Sequence, residues 1–167
     1  ENPIINIRAY SDDPQTVSDF GVSFIKGIQD GGVTACPKHF PGHGNTSTDS
    51  HSSLPVIPGS REDLEKMELY PFRKAIDADI KMIMVGHLAI PGLDSSGTPS
   101  SHSKIISTDL LKDEMGFDGI VVTDGLEMGS ITNNFSADEA CIRSIEAGSD
   151  ILLLPINVSQ AINSIYD

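Results

Sequence analysis

The sequence predicts an α/β fold of parallel strands joined by helical crossovers, and three observations carry that expectation. Short runs that are apolar at nearly every position, such as Met82-Ile83-Met84-Val85 and Ile151-Leu152-Leu153-Leu154, read as strands covered on both faces. Amphipathic stretches with helical spacing separate these runs. Four of the five runs end on side chains able to do chemistry: Arg8, Lys38 with His39, His87, and Asp124. In parallel α/β folds the C-terminal strand edge is where ligands bind, both in a closed (β/α) barrel and at the switch point of an open doubly wound sheet. No Gly-x-Gly-x-x-Gly or Walker-type loop follows any run, so a nucleotide-binding open sheet has little support.

The totals narrow the function classes. At 167 residues and 38% apolar content the chain suits one domain with a full core, not a disordered or fibrous protein. A net charge of −13 argues against nucleic acid or an anionic membrane as partner, since both need a basic footprint, and fits a soluble protein. No run approaches the ~20 apolar residues of a membrane helix, and Glu1-Asn2-Pro3 lacks the basic start and apolar core of a signal peptide. Cys36 and Cys141 fall in different elements and read as packed free thiols.

Taken in order, Ile4-Ile5-Asn6-Ile7 is β-branched and reads as a first strand leading to Arg8. Asp12 or Asp13 caps a helix with Pro14 in its first turn; Val17, Phe20, Gly21, Phe24, Ile25 and Ile28 form its core face, and Gly31-Gly32 stops it. Residues 33–37 form a second strand delivering Lys38 and His39 into a long loop. Ser60-x-x-Asp63 resembles a capping box for a helix that Pro71 breaks. Residues 82–86 form the third strand, ending at His87. A polar stretch follows to Ser103, then a helix capped near Ser107 or Thr108 and stopped by Gly116. Residues 120–123 form the fourth strand, ending at Asp124. A helix from Ser136 or Ala137 buries Ala137, Ala140, Cys141, Ser144 and Ile145, and residues 151–154 form the fifth strand before a last helical pattern.

The chemistry concentrates in the loop from Lys38 to His51, where Pro41, Gly42 and Gly44 disfavour regular structure between His39, His43 and His51. Imidazoles exchange protons near neutral pH, and loops on a rigid scaffold carry chemistry. Asp124 is the candidate working carboxylate, with Gly125 beside it to admit a ligand; Glu127 competes less well because it has turned onto the following helix. Asp118, at a strand entry, reads as structural. Asp49-Ser50-His51 places a carboxylate where it can accept a proton from one ring nitrogen and leave the other for substrate. A zinc site from His39, His43, Asp49 and His51 is the competing reading, disfavoured by Pro41 and Gly42 between the first two.

Lys38-His39-Phe40-Pro41-Gly42-His43-Gly44-Asn45-Thr46 followed by Asp49-Ser50-His51 resembles the motif of the β-N-acetylhexosaminidases of glycoside hydrolase family 3, and Val121-Val122-Thr123-Asp124-Gly125-Leu126-Glu127-Met128 is similar to that family's nucleophile segment. Met84-Val85-Gly86-His87 and the stretch from Asn2-Pro3 through Arg8 to Tyr10 sit in register with it as well. The resemblance implies a retaining β-N-acetylglucosaminidase acting on terminal N-acetylglucosamine of β-glycosides such as peptidoglycan fragments. It implies Asp124 as nucleophile, His51 held by Asp49 as acid and base, Arg8, Lys38 and His39 on the sugar hydroxyls, and neither metal nor cofactor. The base being neutral, phosphate is a conceivable acceptor in place of water. Asn45 stands where the family has Asp, and no role is assigned to it.

The resemblance also implies a TIM-type (β/α)8 barrel. A closed barrel has eight strands and ~250 residues, so five βα units read as the C-terminal part of the catalytic barrel, a partial domain over 1–167 with its N-terminal units absent. An open barrel edge invites self-association. An inactive or carbohydrate-binding fragment of such an enzyme is the alternative from another class, and a zinc hydrolase the remaining one. The compartment stays open between bacterial cytoplasm and the outside of the membrane, with the cytoplasm preferred.

Overall fold

The computed structural model describes residues 5–46 and 48–166. Its centre is a two-stranded parallel sheet, β1 (Met82–Val85) and β2 (Ile120–Thr123), in the register Met82↔Ile120 to Val85↔Thr123. Helices make up most of the remaining regular structure: α1 (Pro14–Asp30), α2 (Arg61–Lys66), α3 (Leu69–Asp77), α4 (Gly129–Thr132), α5 (Ala137–Glu146) and α6 (Val158–Tyr166), with a π-helix over Ile105–Glu114.

This corrects the expected fold class. The chain is a mostly helical domain around an unclosed two-stranded sheet, not a closed (β/α)8 barrel or five of its units. The reason lies in the pairing of the other three runs. Residues 37–40 lie along β1, with Met84 N–H donating to Pro37 C=O and Phe40 N–H to Met84 C=O, yet they make only the isolated bridge Phe40↔Val85. Ile151 bridges Val122 alone, and the chain leaves the ladder before Leu154, whose φ is 49°. Ile4 lies outside the described residues. Asn6–Arg8 coils into one 3-10 turn, and with Ile7 93% exposed its burial does not reward an extended conformation. A β-branched run becomes a strand only when a partner satisfies its backbone groups.

Three of the helix starts carry the caps their sequence specifies. The Asp13 side chain accepts from Thr16 N–H at the start of α1, with Pro14 as the first helical residue. Ser60 and Asp63 form a reciprocal capping box on α2, and the Ser136 side chain caps α5. Pro71 does not break its helix. The interruption falls at Met67, and α3 restarts at Leu69, which puts Pro71 in a first turn where no intrahelical N–H bond is lost. Ser107 lies inside the π-helix rather than at its start, where Ser103 Oγ accepts from Ile106 N–H. On α1 the expected core face is only partly buried: Ile25 is 5% exposed, but Phe20 and Phe24 are 59% and 58% exposed. On α5 Ala140, Cys141 and Ser144 are buried while Ile145 is exposed.

The main core gathers Phe40, Ile57, Leu64, Leu69, Ile83 and Leu111 between the sheet, α2, α3 and the π-helix. On its outer side Arg61 and Arg73 share the carboxylates of Glu65 and Glu114, tying α2, α3 and the π-helix together. A buried imidazole interrupts the apolar packing elsewhere. His102 packs edge to face on Phe135 at 4.8 Å, and neither ring nitrogen has a hydrogen-bond partner among the described residues. Burial, with smaller contributions from His87 and Arg143, pushes its pKa down to about 3.

Two outcomes follow. Ile83→Ala, which empties a fully buried position, lowers unfolding stability by about 2–4 kcal/mol in urea titrations, whereas Ile7→Ala changes it by less than about 0.5 kcal/mol. The depressed pKa of His102 means the unfolded chain takes up the proton first, so its contribution is whole above pH 6.5 and is lost as pH falls toward about 3. Urea midpoints at pH 7 and pH 5 therefore diverge, and His102→Phe removes about 2 kcal/mol of that divergence.

Candidate functional site

Asp124 follows β2 by one residue, and its N–H donates to Val85 C=O at 2.8 Å, continuing the ladder. Its Oδ1 accepts from Gly125 N–H at 2.9 Å, while Oδ2 faces His39 Nε2 at 3.6 Å. The side chain is 16% exposed, so it is reachable from solvent at the sheet edge and does not point into packed interior.

Behind this turn lies His87, which is 1% exposed. A carbonyl only accepts, so its Nε2–H donates to Gly125 C=O at 3.0 Å and its Nδ1 accepts from the Ser101 hydroxyl at 2.8 Å. Burial holds its pKa below the usual imidazole range and keeps it neutral. His87 thus braces the Asp124 turn rather than facing solvent.

His39 stands at the end of residues 37–40, a stretch with cis peptide bonds at Lys38-His39 and Phe40-Pro41. It packs on β1 so closely that a Cβ at Gly86 would lie 2.9 Å from its own Cβ, which explains a glycine there. Burial lowers its pKa to about 4 despite the opposing Asp124 charge, leaving it neutral at pH 7. Its ring meets that of His43 edge to face at 5.5 Å. His43 is buried, lies 3.0 Å through Nε2 from Ser50 Oγ, and has its pKa lowered by burial. The charges of both Asp124 and Asp49 act on it in the opposite direction.

Asp49 Oδ1 accepts from His51 N–H at 2.9 Å and from His51 Nδ1 at 2.8 Å. These two bonds, the backbone one first, hold the Asp49 carboxyl below its ordinary range. A carboxylate can only accept, so the proton sits on Nδ1 and Nε2 is left to face outward on a side chain that is 67% exposed. The turn is docked on α4: Gly129 N–H donates to His51 C=O at 3.1 Å, Ser130 N–H to Ser50 C=O at 3.2 Å, and Asn133 Nδ2 to Ser52 C=O at 2.9 Å.

Among the sequence-derived candidates, the structure brings His39 to Asp124 and Asp49 to His51. Arg8 and Lys38 are exposed, and their charges reach His39. Glu127 is exposed and outside these contacts. His39, His43, Asp49 and His51 do not converge: among the described residues no group of three or more His, Cys, Asp or Glu is arranged to hold a metal ion. Two open clefts sharing Asn45 and Pro58 flank the loop, and neither is lined by Asp124 or His51. Sequence reading missed the bracing role of His87, the His43–Ser50 contact and α4 altogether. A four-residue helix without a side-chain cap leaves no sequence signal.

Comparison with known proteins agrees on the family. The family model described as "Glycosyl hydrolase family 3 N terminal domain" matches residues 1–167, which corrects the expectation of a C-terminal part of a barrel. The chain is 38% identical over 168 residues to Beta-hexosaminidase A of Pseudoalteromonas piscicida, covering 94% of this chain and 28% of that protein. It is 38% identical over 159 residues to Beta-hexosaminidase LpqI of Mycobacterium tuberculosis, covering 92% of this chain and 40% of the other. It superposes with a TM-score of 0.95 on a glycoside hydrolase family 3 beta-N-acetylglucosaminidase from Paenibacillus sp. str. FPU-7, at 38% identity, over 98% of this chain and 32% of that one. The chain therefore spans less than half the length of these relatives. With its whole described length matched by that family model, this chain belongs to glycosyl hydrolase family 3.

Proposed function

We propose that the chain carries the nucleophile and the acid/base of a retaining β-N-acetylglucosaminidase acting on β-glycosides such as peptidoglycan fragments. The observation that supports this most is the docking of the Asp49-His51 turn on the segment that follows Asp124, with His43 under the influence of both carboxylates. Retaining glycosidases usually place two carboxyl groups ~5 Å apart. Here an imidazole takes the place of one.

In the first step protonated His51 gives its Nε2 proton to the glycosidic oxygen as the C1–O bond breaks, and Asp124 Oδ2 forms a bond to C1. In the second, neutral His51 takes a proton from a water whose oxygen attacks C1, and the bond to Asp124 breaks. Asp49, kept anionic by its bonds to His51, favours the imidazolium formed in that step. Neutral His39 and the cations Arg8 and Lys38 hold sugar hydroxyls.

For the chain by itself a second reading is favoured by its coverage of under half the length of its relatives and by its open sheet: a carbohydrate-binding or inactive portion of such an enzyme. Assay with 4-nitrophenyl N-acetyl-β-glucosaminide separates the two. Turnover that falls by about 10²–10⁴ in His51→Ala, and at least as far in Asp124→Ala, supports the enzyme. Binding of N-acetylglucosamine by calorimetry without turnover supports the second reading, and turnover that survives both substitutions overturns the assignment of these residues.

A further inference from the structure

We infer that Gly129 and Asn133 are positioning residues that latch the acid/base loop to the segment following the nucleophile; this rests on the assignment of His51 and Asp124 above. All three bonds of the latch are accepted by backbone carbonyls of consecutive loop residues, Ser50, His51 and Ser52. Their donors are Ser130 N–H, Gly129 N–H and the Asn133 amide. The fit is closest at Gly129, where a Cβ would stand 2.6 Å from the His51 carbonyl oxygen and 3.1 Å from that of Ser52. Backbone cannot yield there as a flexible side chain could, so only glycine lets the loop come down this far.

The opposite side of the turn is anchored independently. Ser50 is buried and its hydroxyl meets His43, whose ring packs on His39 beside Asp124. Two routes thus run from Asp124 to the His51 turn, one through the histidine rings and one along the chain to Gly129. The latch sets the height of the exposed imidazole over the sugar position without touching the imidazole. A loop held on one side only would leave the ring at the right end of the molecule but poorly placed for proton transfer, which tolerates little misplacement.

The distinguishing property is dependence on the leaving group. Proton donation matters for a glycoside with a poorly departing alkyl alcohol and hardly at all for a 2,4-dinitrophenyl glycoside, whose phenolate leaves unprotonated. In the protein as its gene encodes it, Asn133→Ala is expected to lower kcat/KM about fivefold on the alkyl substrate, the effect of one hydrogen bond. On the dinitrophenyl substrate kcat/KM changes by under about twofold, because it reports only the first step, in which that group leaves unprotonated, while kcat there also carries the second step in which His51 is the base. Gly129→Ala lowers kcat/KM on the alkyl substrate by at least about tenfold with the same selectivity. Hydrogen exchange at the Gly129 and Ser130 amides, slow in the wild type, accelerates in Asn133→Ala. Equal losses of kcat/KM on both substrates, or no loss in either variant, overturn the latch. His51→Ala is the reference: if it shows the leaving-group dependence and the latch variants do not, the latch alone falls, and if it shows none, the assignment beneath it falls and the latch with it.

Discussion

The hydrogen bond from Asp124 N–H to Val85 C=O is the constraint from which the rest of the site follows. It extends the β1–β2 ladder one residue beyond the assigned strands, so the carboxylate emerges where the two strands end together. Phe40, bridged to Val85 on the other side of β1, fixes His39 at the same level. His87, two residues beyond β1, turns back to hold the Gly125 carbonyl from below. A one-residue slip of β1 against β2 would separate these groups and send alternate side chains to the opposite face. Full burial of Ile83, Val85 and Val121 makes such a slip costly.

Much of the helical part was legible because its signals are local. Asp13 with Pro14, the Ser60/Asp63 pair and Ser136 each specify a helix start through contacts within three residues, and each is found there. The strands were not, because a strand is a relation between distant segments. Met82–Val85 and Ile120–Thr123 have each other, whereas residues 5–7, 33–37 and 151–154 also read as strands and find one bridge or none. Apolarity alone could not distinguish them. The exposure of Phe20 and Phe24 has the same origin: periodicity identifies a face, and only the tertiary structure says whether something covers it.

At the candidate site, Asp124 and the Asp49-x-His51 pair stand out in the sequence by position and spacing. The groups that arrange them do not. His87 reads in sequence as another strand-end ligand, yet burial and two satisfied nitrogens make it a brace. His43 reads as a metal-ligand candidate, yet its contacts include a hydroxyl and a ring. Roles of this kind depend on which partner occupies each polar atom, and no spacing rule encodes that.

The bonds that seat the loop on α4 run through main-chain oxygens of residues 50 to 52, while the ring at position 51 is bonded to Asp49 and, among the described residues, to nothing on α4. The shape of the platform is thereby uncoupled from the identity of the group mounted on it. Such a mount is interchangeable: a carboxylic acid or an amide at position 51 would inherit the same backbone placement, so the group presented there can change while the architecture beneath it stays put.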